Sequence, residues 1–159
     1  NYYHSNTILE LGTSLGLTTA YLAKARKKAK VYTLEGSPEI CKVAKNTFKS
    51  LRLDNVQMVQ GNFSDTLPEI LPKITVLDFV FFDGNHQKKP TLDYFNQCLE
   101  KANENSVFVF DDIHWSDEMT EGWEEIKTHP EVTLTIDIFQ FGIVFFRKGV
   151  ERQHFVLNY

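Results

Sequence analysis

Glu10-Leu11-Gly12-Thr13-Ser14-Leu15-Gly16-Leu17-Thr18 is the stretch on which the fold turns. An apolar run from Thr7 leads into it and a helical pattern from Leu17 leads out, so the glycines sit on a strand-to-helix turn. The same alternation continues outward. Residues 30–35 read as a second strand. Ser37 can cap a helix whose first position is Pro38 and which runs to about Leu51. Residues 56–60 form a third strand ended by Gly61-Asn62, and residues 64–71 a short helix. The run 76–82 is apolar on both faces, as a central parallel strand must be. Residues 90–102 form a helix with Leu92, Phe95 and Leu99 on one face. A buried strand (106–110), a helix (116–129) and two strands (132–138 and 141–147) follow. The last connection, around Gln140, is too short for a parallel crossover, so the final strand runs antiparallel. The expectation is an α/β fold: a Rossmann-like, doubly wound sheet, mostly parallel, with an antiparallel last strand. The first helix is expected over 17–28 with Tyr21, Leu22 and Ala25 inward. The tail from Glu151 to Tyr159 either adds an edge strand or packs loosely.

A length of 159 residues fits one domain over 1–159, and the 13 Phe residues give it ample core. The chain starts at Asn1 with a strand near Thr7, so an amino-terminal segment carrying substrate contacts is expected to be missing. A net charge of −4 argues against a nucleic-acid partner. Cys41 and Cys98 make no disulfide framework, which points to a reduced, cytoplasmic setting. No run of 18 apolar residues is present, so no membrane span is expected. The basic run from Lys24 to Lys30 ends a helix, where cations are favourable, and reads as a solvated face.

The turn is not a dinucleotide fingerprint. With Gly12 as the first glycine of G-x-G-x-x-G, Ser14 and Leu17 stand where the other two belong. A pyrophosphate needs close backbone approach here, so a nicotinamide or flavin ligand is disfavoured and one without phosphates fits better. Gly12 and Gly16 by themselves need only serve a tight turn. Glu35 adds weight: it ends the second strand, 25 residues after Glu10, where a carboxylate can accept bonds from ribose hydroxyls. Asn62 follows the third strand and can hydrogen-bond an exocyclic amine. Phe63 either stacks on a base or belongs to the core.

Residues 10–18 resemble the first motif of class I S-adenosylmethionine-dependent methyltransferases, acidic-x-Gly-x-x-x-Gly. The Gly12-to-Gly16 segment is similar to that of the catechol and caffeoyl-coenzyme A O-methyltransferase group, and the resemblance runs to about Arg147. It implies a cofactor site of Glu10, Gly12, Thr13, Ser14, Gly16, Glu35, Gly36, Asn62, Phe63 and Asp83.

Asp83-Gly84-Asn85-His86 follows the fourth strand and Asp111-Asp112 ends the fifth, both at the ligand-binding edge of such a sheet. Three carboxylates there repel unless a cation or a proton sits among them, and oxygen ligands suit Mg²⁺ or Ca²⁺. Catechol-type enzymes resemble this with an Asp and then an Asp-Asn pair; macrocin-type sugar O-methyltransferases, with Asp-Gly-Asp and then Asp-Asp, are more similar. The resemblance implies a divalent cation on Asp83, Asp111 and Asp112, with Asp83 and His86 catalytic, His86 standing where the catechol type has Lys. In the alternative reading Asp112 caps the next helix and Asp83 holds the ligand's ammonium group. The implied function is O-methyl transfer to a small-molecule hydroxyl, with homodimerisation left open. A cofactor-binding module without catalysis and a nicotinamide-dependent oxidoreductase are the alternatives. His114 and Trp115 follow the Asp pair and line a substrate pocket, Trp115 with the alternative of anchoring the next helix; Trp123 reads as core; His4, His129 and His154 carry no motif.

Overall fold

In the computed structural model, which describes residues 4–157, strands and helices alternate as the apolar runs require. The order is β1 (Thr7–Leu11), α1 (Leu17–Ala25), β2 (Lys30–Glu35), α2 (Pro38–Ser50), β3 (Val56–Gln60), α3 (Phe63–Ile70) and a 3₁₀ turn (Leu71–Lys73). Then come β4 (Phe79–Phe82), α4 (Lys88–Leu99), β5 (Val107–Asp111), α5 (Asp117–Thr128), β6 (Leu134–Asp137), β7 (Phe141–Phe145) and β8 (Gln153–Val156). They build one eight-stranded sheet in the order β3-β2-β1-β4-β5-β7-β6-β8. β1 to β5 are mutually parallel, and β7 runs antiparallel to both β5 and β6. The tail resolves as β8, parallel to β6 at the sheet edge.

The strand order reverses between β1 and β4. Right-handed crossovers place α1 and α2 on one face and α3, α4 and α5 on the other. The main core lies on the three-helix face, where Leu9, Leu34, Val80, Phe108, Phe110 and Trp123 pack together. Phe82 stacks on Phe110 with centroids 4.3 Å apart. The opposite face holds a smaller cluster of Ile8, Ala23, Ala29 and Val31 beneath α1. Cys41 lies on α2 and Cys98 on α4, on opposite faces, both buried and free. Among the described residues no helix is long and apolar enough to cross a membrane.

Helix α1 departs in part from its expected face. Leu22 packs half-buried against the smaller cluster as expected, but Thr19, Ala20 and Ala23 are its buried residues, while Ala25 is exposed and Tyr21 is 80% exposed. The cause is polar: the Thr19 hydroxyl donates to the buried Glu10 carboxylate, and that bond fixes the rotation of the helix against its apolar stripe. The helix also ends at Ala25, short of Lys28. The fourth strand is shorter than its apolar run, with Leu77 buried but outside the ladder. Ser37 and Ser116 cap α2 and α5, accepting from the N–H groups of Ile40 and Met119.

Candidate active site

The carboxyl ends of β1 to β4 meet at the point where the strand order reverses, and a groove of about 510 Å³ opens there. Gly12, Ser14, Glu35, Gly36, Asn62, Phe63 and Asp83 all line it, joined by Ile40, Gly84 and Asn85. Gly12 is required by contact as well as by conformation. Its φ is +109°, and a Cβ there would sit 1.8 Å from the Asp83 carbonyl oxygen. The two loops therefore touch backbone to backbone. Gly84 allows the Phe63 ring to approach: a Cβ on it would lie 2.6 Å from Phe63 Cε2. The Phe63 ring meets Tyr94 edge-on at 5.9 Å, and the Tyr94 hydroxyl accepts from Asn85 Nδ2 at 2.9 Å.

Glu35 ties the first loop to the second. Its Oε2 accepts the Ser14 N–H at 3.0 Å and its Oε1 accepts the Ser37 N–H at 2.9 Å. Each carboxylate oxygen retains capacity for a further bond from the groove side. Asn62 heads α3, is exposed, and makes no side-chain capping bond.

Glu10, Thr13 and Gly16 lie behind the groove wall rather than on it. Glu10 is fully buried, with Oε2 accepting from Thr19 and, at 2.6 Å, from Thr33. Thr13 bonds Thr33 at 2.5 Å. Glu10 Oε1 has no partner. Burial pushes this carboxyl up to about 7 against the two threonine bonds that hold it down. Gly16 starts α1 at φ +80°, and a Cβ there would meet the Phe48 ring at 2.6 Å.

Beyond the groove the remaining acidic residues come together at the tips of β4 and β5. Burial, and then the neighbouring Asp111, push the Asp83 carboxyl up to about 7; Glu10 and Asp112 add to this. Burial also raises Asp111, although its hydrogen bond with Asp83 opposes the rise. Burial and repulsion from neighbouring carboxylates thus raise both carboxyls of the pair. His86 spans the cluster, with Nε2 3.7 Å from Asp83 Oδ1 and Nδ1 3.8 Å from Asp112 Oδ2. These are ion-pair separations, too long for direct hydrogen bonds. Asn85, His86 and Asp112 all have positive φ (72°, 31° and 54°), a concentration of strained backbone at the site. Asp112 does not cap α5; Ser116 does. Among the described residues no three metal-ligating side chains converge as a ready-made cluster.

Some polar features lay outside the sequence reading. Asp137 is 6% exposed and accepts from His114, Trp123 and the Phe139 N–H. The available signal was its inward register in the alternating Leu134-Thr135-Ile136-Asp137 strand, where an acid needs partners. Tyr94 carried no motif, and Asn85 stood only as part of the Asp83-Gly84-Asn85 segment.

A family model described as a methyltransferase domain matches residues 9–113. The chain is 31% identical over 112 residues to a catechol O-methyltransferase of Niastella koreensis, covering 69% of this chain and 50% of that protein. An O-methyltransferase of Aspergillus flavus is 25% identical over 111 residues, covering 66% of this chain and 44% of its own. Among solved structures, an O-methyltransferase from Bacillus cereus in complex with SAH superposes with a TM-score of 0.77 at 24% identity, covering 91% of this chain and 76% of that one. TomG from Streptomyces achromogenes in complex with SAM gives a TM-score of 0.73 at 21% identity, with coverages of 92% and 75%. The chain thus spans half the length, or less, of these curated relatives and about three quarters of the solved chains. With its glycine turn, its reversal-point groove and the matching span all on residues 9–113, the chain belongs to the methyltransferase domain family.

Proposed function

We propose that this domain catalyses S-adenosylmethionine-dependent O-methyl transfer to a small-molecule hydroxyl. One observation carries the reading: a groove without dinucleotide glycines, walled by Gly12, Glu35 and Asn62, runs into the Asp83, His86 and Asp111 cluster. S-adenosylmethionine bound there supplies an electrophilic methyl group on sulfur. Glu35 would accept from the ribose hydroxyls with its free lone pairs, and Asn62 and Phe63 would hold the adenine edge and face. The loop from Gly12 to Ser14 would flank the amino-acid end, with Asp83 on the same groove wall to meet its ammonium group. The protein's main contribution is alignment of donor and acceptor, an effect worth up to roughly 7–11 kcal/mol in model reactions.

The acceptor hydroxyl must lose a proton. His86 is placed to take it, and the flanking Asp83 and Asp112 carboxylates stabilise the imidazolium that results. A divalent cation is the second part of the reading. The donor set of Asp83, Asp111 and Asp112 is all carboxylate oxygen, and burial with repulsion among them raises the carboxyls of Asp83 and Asp111, so the chemistry suits Mg²⁺. Asp112 faces His86, so it would have to turn inward to join the other two. When bound, such a cation lowers the pKa of a coordinated hydroxyl. Two unpaired thiols are consistent with a reduced, cytoplasmic setting.

The test is transfer of labelled methyl from S-adenosylmethionine to a panel of hydroxyl compounds, beginning with catechol, after chelation and after Mg²⁺ return. Label should move to oxygen, fall strongly in His86→Ala, and depend on Mg²⁺. Full activity in chelator and in Asp112→Ala would remove the cation. S-adenosylhomocysteine binding without transfer to any acceptor would favour a binding module.

A further inference from the structure

A second cavity, of about 220 Å³, adjoins the carboxylate cluster on the side away from the groove. Its walls come from two loops: residues 112–116, between β5 and α5, and residues 138–140, between β6 and β7. Asp112 is common to this cavity and to the cluster around His86. Trp115 and Phe139 stand on its rim, 72% and 73% exposed. A single exposed aromatic needs no explanation, but two on facing loops of one cavity, beside a reacting centre, form a surface with a use.

What holds these rings lies underneath. The Asp137 carboxylate is buried and fully engaged. Its Oδ2 accepts from His114 Nε2 at 2.9 Å and from Trp123 Nε1 at 3.1 Å, while Oδ1 accepts the Phe139 N–H at 2.8 Å. The other ring nitrogen of His114 bonds Thr120 Oγ1 at 3.1 Å. His114 thus ties the 112–116 loop to α5 and to the hairpin in one step. Its ring also lies 5.6 Å from that of Phe139. With both nitrogens engaged, His114 has no site left for taking a substrate proton. Both loops carry a strained residue, Asp112 at φ +54° and Phe139 at φ +68°, and such backbone persists only where its surroundings over-determine it.

We propose that His114 and Asp137 are positioning residues that lock Trp115 and Phe139 as the wall of the acceptor pocket, so that the enzyme takes acceptors presenting a flat ring face. The name of the pocket rests on the methyl-transfer reading; the clamp and the wall do not. A planar ring against Trp115 and Phe139 directs its edge substituents to Asp112, beside His86.

The test uses ¹⁵N-labelled full chain titrated with catechol, with and without S-adenosylhomocysteine, following the Trp115 indole N–H and the Phe139 amide. Both signals should shift saturably. Trp115→Ala, at an exposed position that leaves the fold intact, and His114→Ala should each weaken catechol by roughly tenfold or more. The two together should cost little more than either alone, because they act on one wall. His114→Gln, whose amide nitrogen reaches the place of Nε2, should restore binding to within about threefold. In turnover the same variants should raise KM more than they lower kcat. S-adenosylhomocysteine affinity should be unchanged throughout. Absence of shifts at Trp115 and Phe139, or equal catechol affinity in wild type, Trp115→Ala and His114→Ala, would overturn the proposal. Failure of S-adenosylhomocysteine to bind wild type would count against the methyl-transfer reading alone, since the wall is judged from the catechol shifts.

Discussion

Replacing Glu10 with Gln should change how the stability of the domain responds to pH. Glu10 is fully buried, and its Oε1 finds no partner. Its carboxyl is pushed up to about 7 in the fold, from an ordinary value of 4.5. Between these two values the folded chain holds a proton that the unfolded chain has released, so stability falls as pH rises through that window. The penalty is absent below the unfolded value and complete above the folded one. From pH 5 to pH 8 the loss attributable to this one group is on the order of 2–3 kcal/mol, or roughly 5–10 °C in Tm for a chain of this size. In Glu10→Gln the amide oxygen still accepts from Thr19 and Thr33, and no charge develops. The variant should therefore match or trail wild type at pH 5 and exceed it at pH 8. Urea unfolding of both proteins at several pH values, with equal m-values, measures the difference directly. Curves that stay parallel from pH 5 to pH 8 would refute a raised Glu10 pKa and the unpartnered oxygen behind it.

Gly12→Ala should abolish S-adenosylhomocysteine binding and destabilise the domain, because its Cβ would drive the first loop away from the Asp83 carbonyl; calorimetry and a melting curve report both. Glu35→Ala should weaken the same ligand by about 1.5–3 kcal/mol through loss of charge-assisted bonds, and should loosen the Ser14 loop in hydrogen exchange. Ser116→Ala should cost about 1 kcal/mol in urea unfolding, as loss of the α5 cap. Cys41 and Cys98 should show no intramolecular disulfide in a non-reducing mass measurement after oxidation, since their helices cover opposite faces of the sheet.

Local chemistry was legible in the sequence; chemistry made by distant parts of the chain was not. Gly12 follows β1, Glu35 ends β2 and Asn62 lies two residues past β3, and parallel strands deliver their ends to one edge, so position along the chain was enough to bring them to one groove. The antiparallel β7 followed from the shortness of its connection. The inward face of α1 did not, because Thr19 is drawn in by Glu10 across the strand-to-helix turn, and a polar bond outranked the apolar stripe. His114 and Asp137 are 23 residues apart, on different elements, and only the β6–β7 hairpin brings them into contact. The raised carboxyls of Asp83 and Asp111 likewise depend on burial, which spacing does not report.

The groove at the reversal point should hold a phosphate-free adenosine cofactor. Calorimetric titration of the chain with S-adenosylhomocysteine, and in parallel with NAD⁺, decides this. One S-adenosylhomocysteine should bind per chain, with affinity lost in Gly12→Ala and reduced in Glu35→Ala, while NAD⁺ gives no saturable heat. Tighter binding of NAD⁺, or S-adenosylhomocysteine binding indifferent to both substitutions, would contradict it.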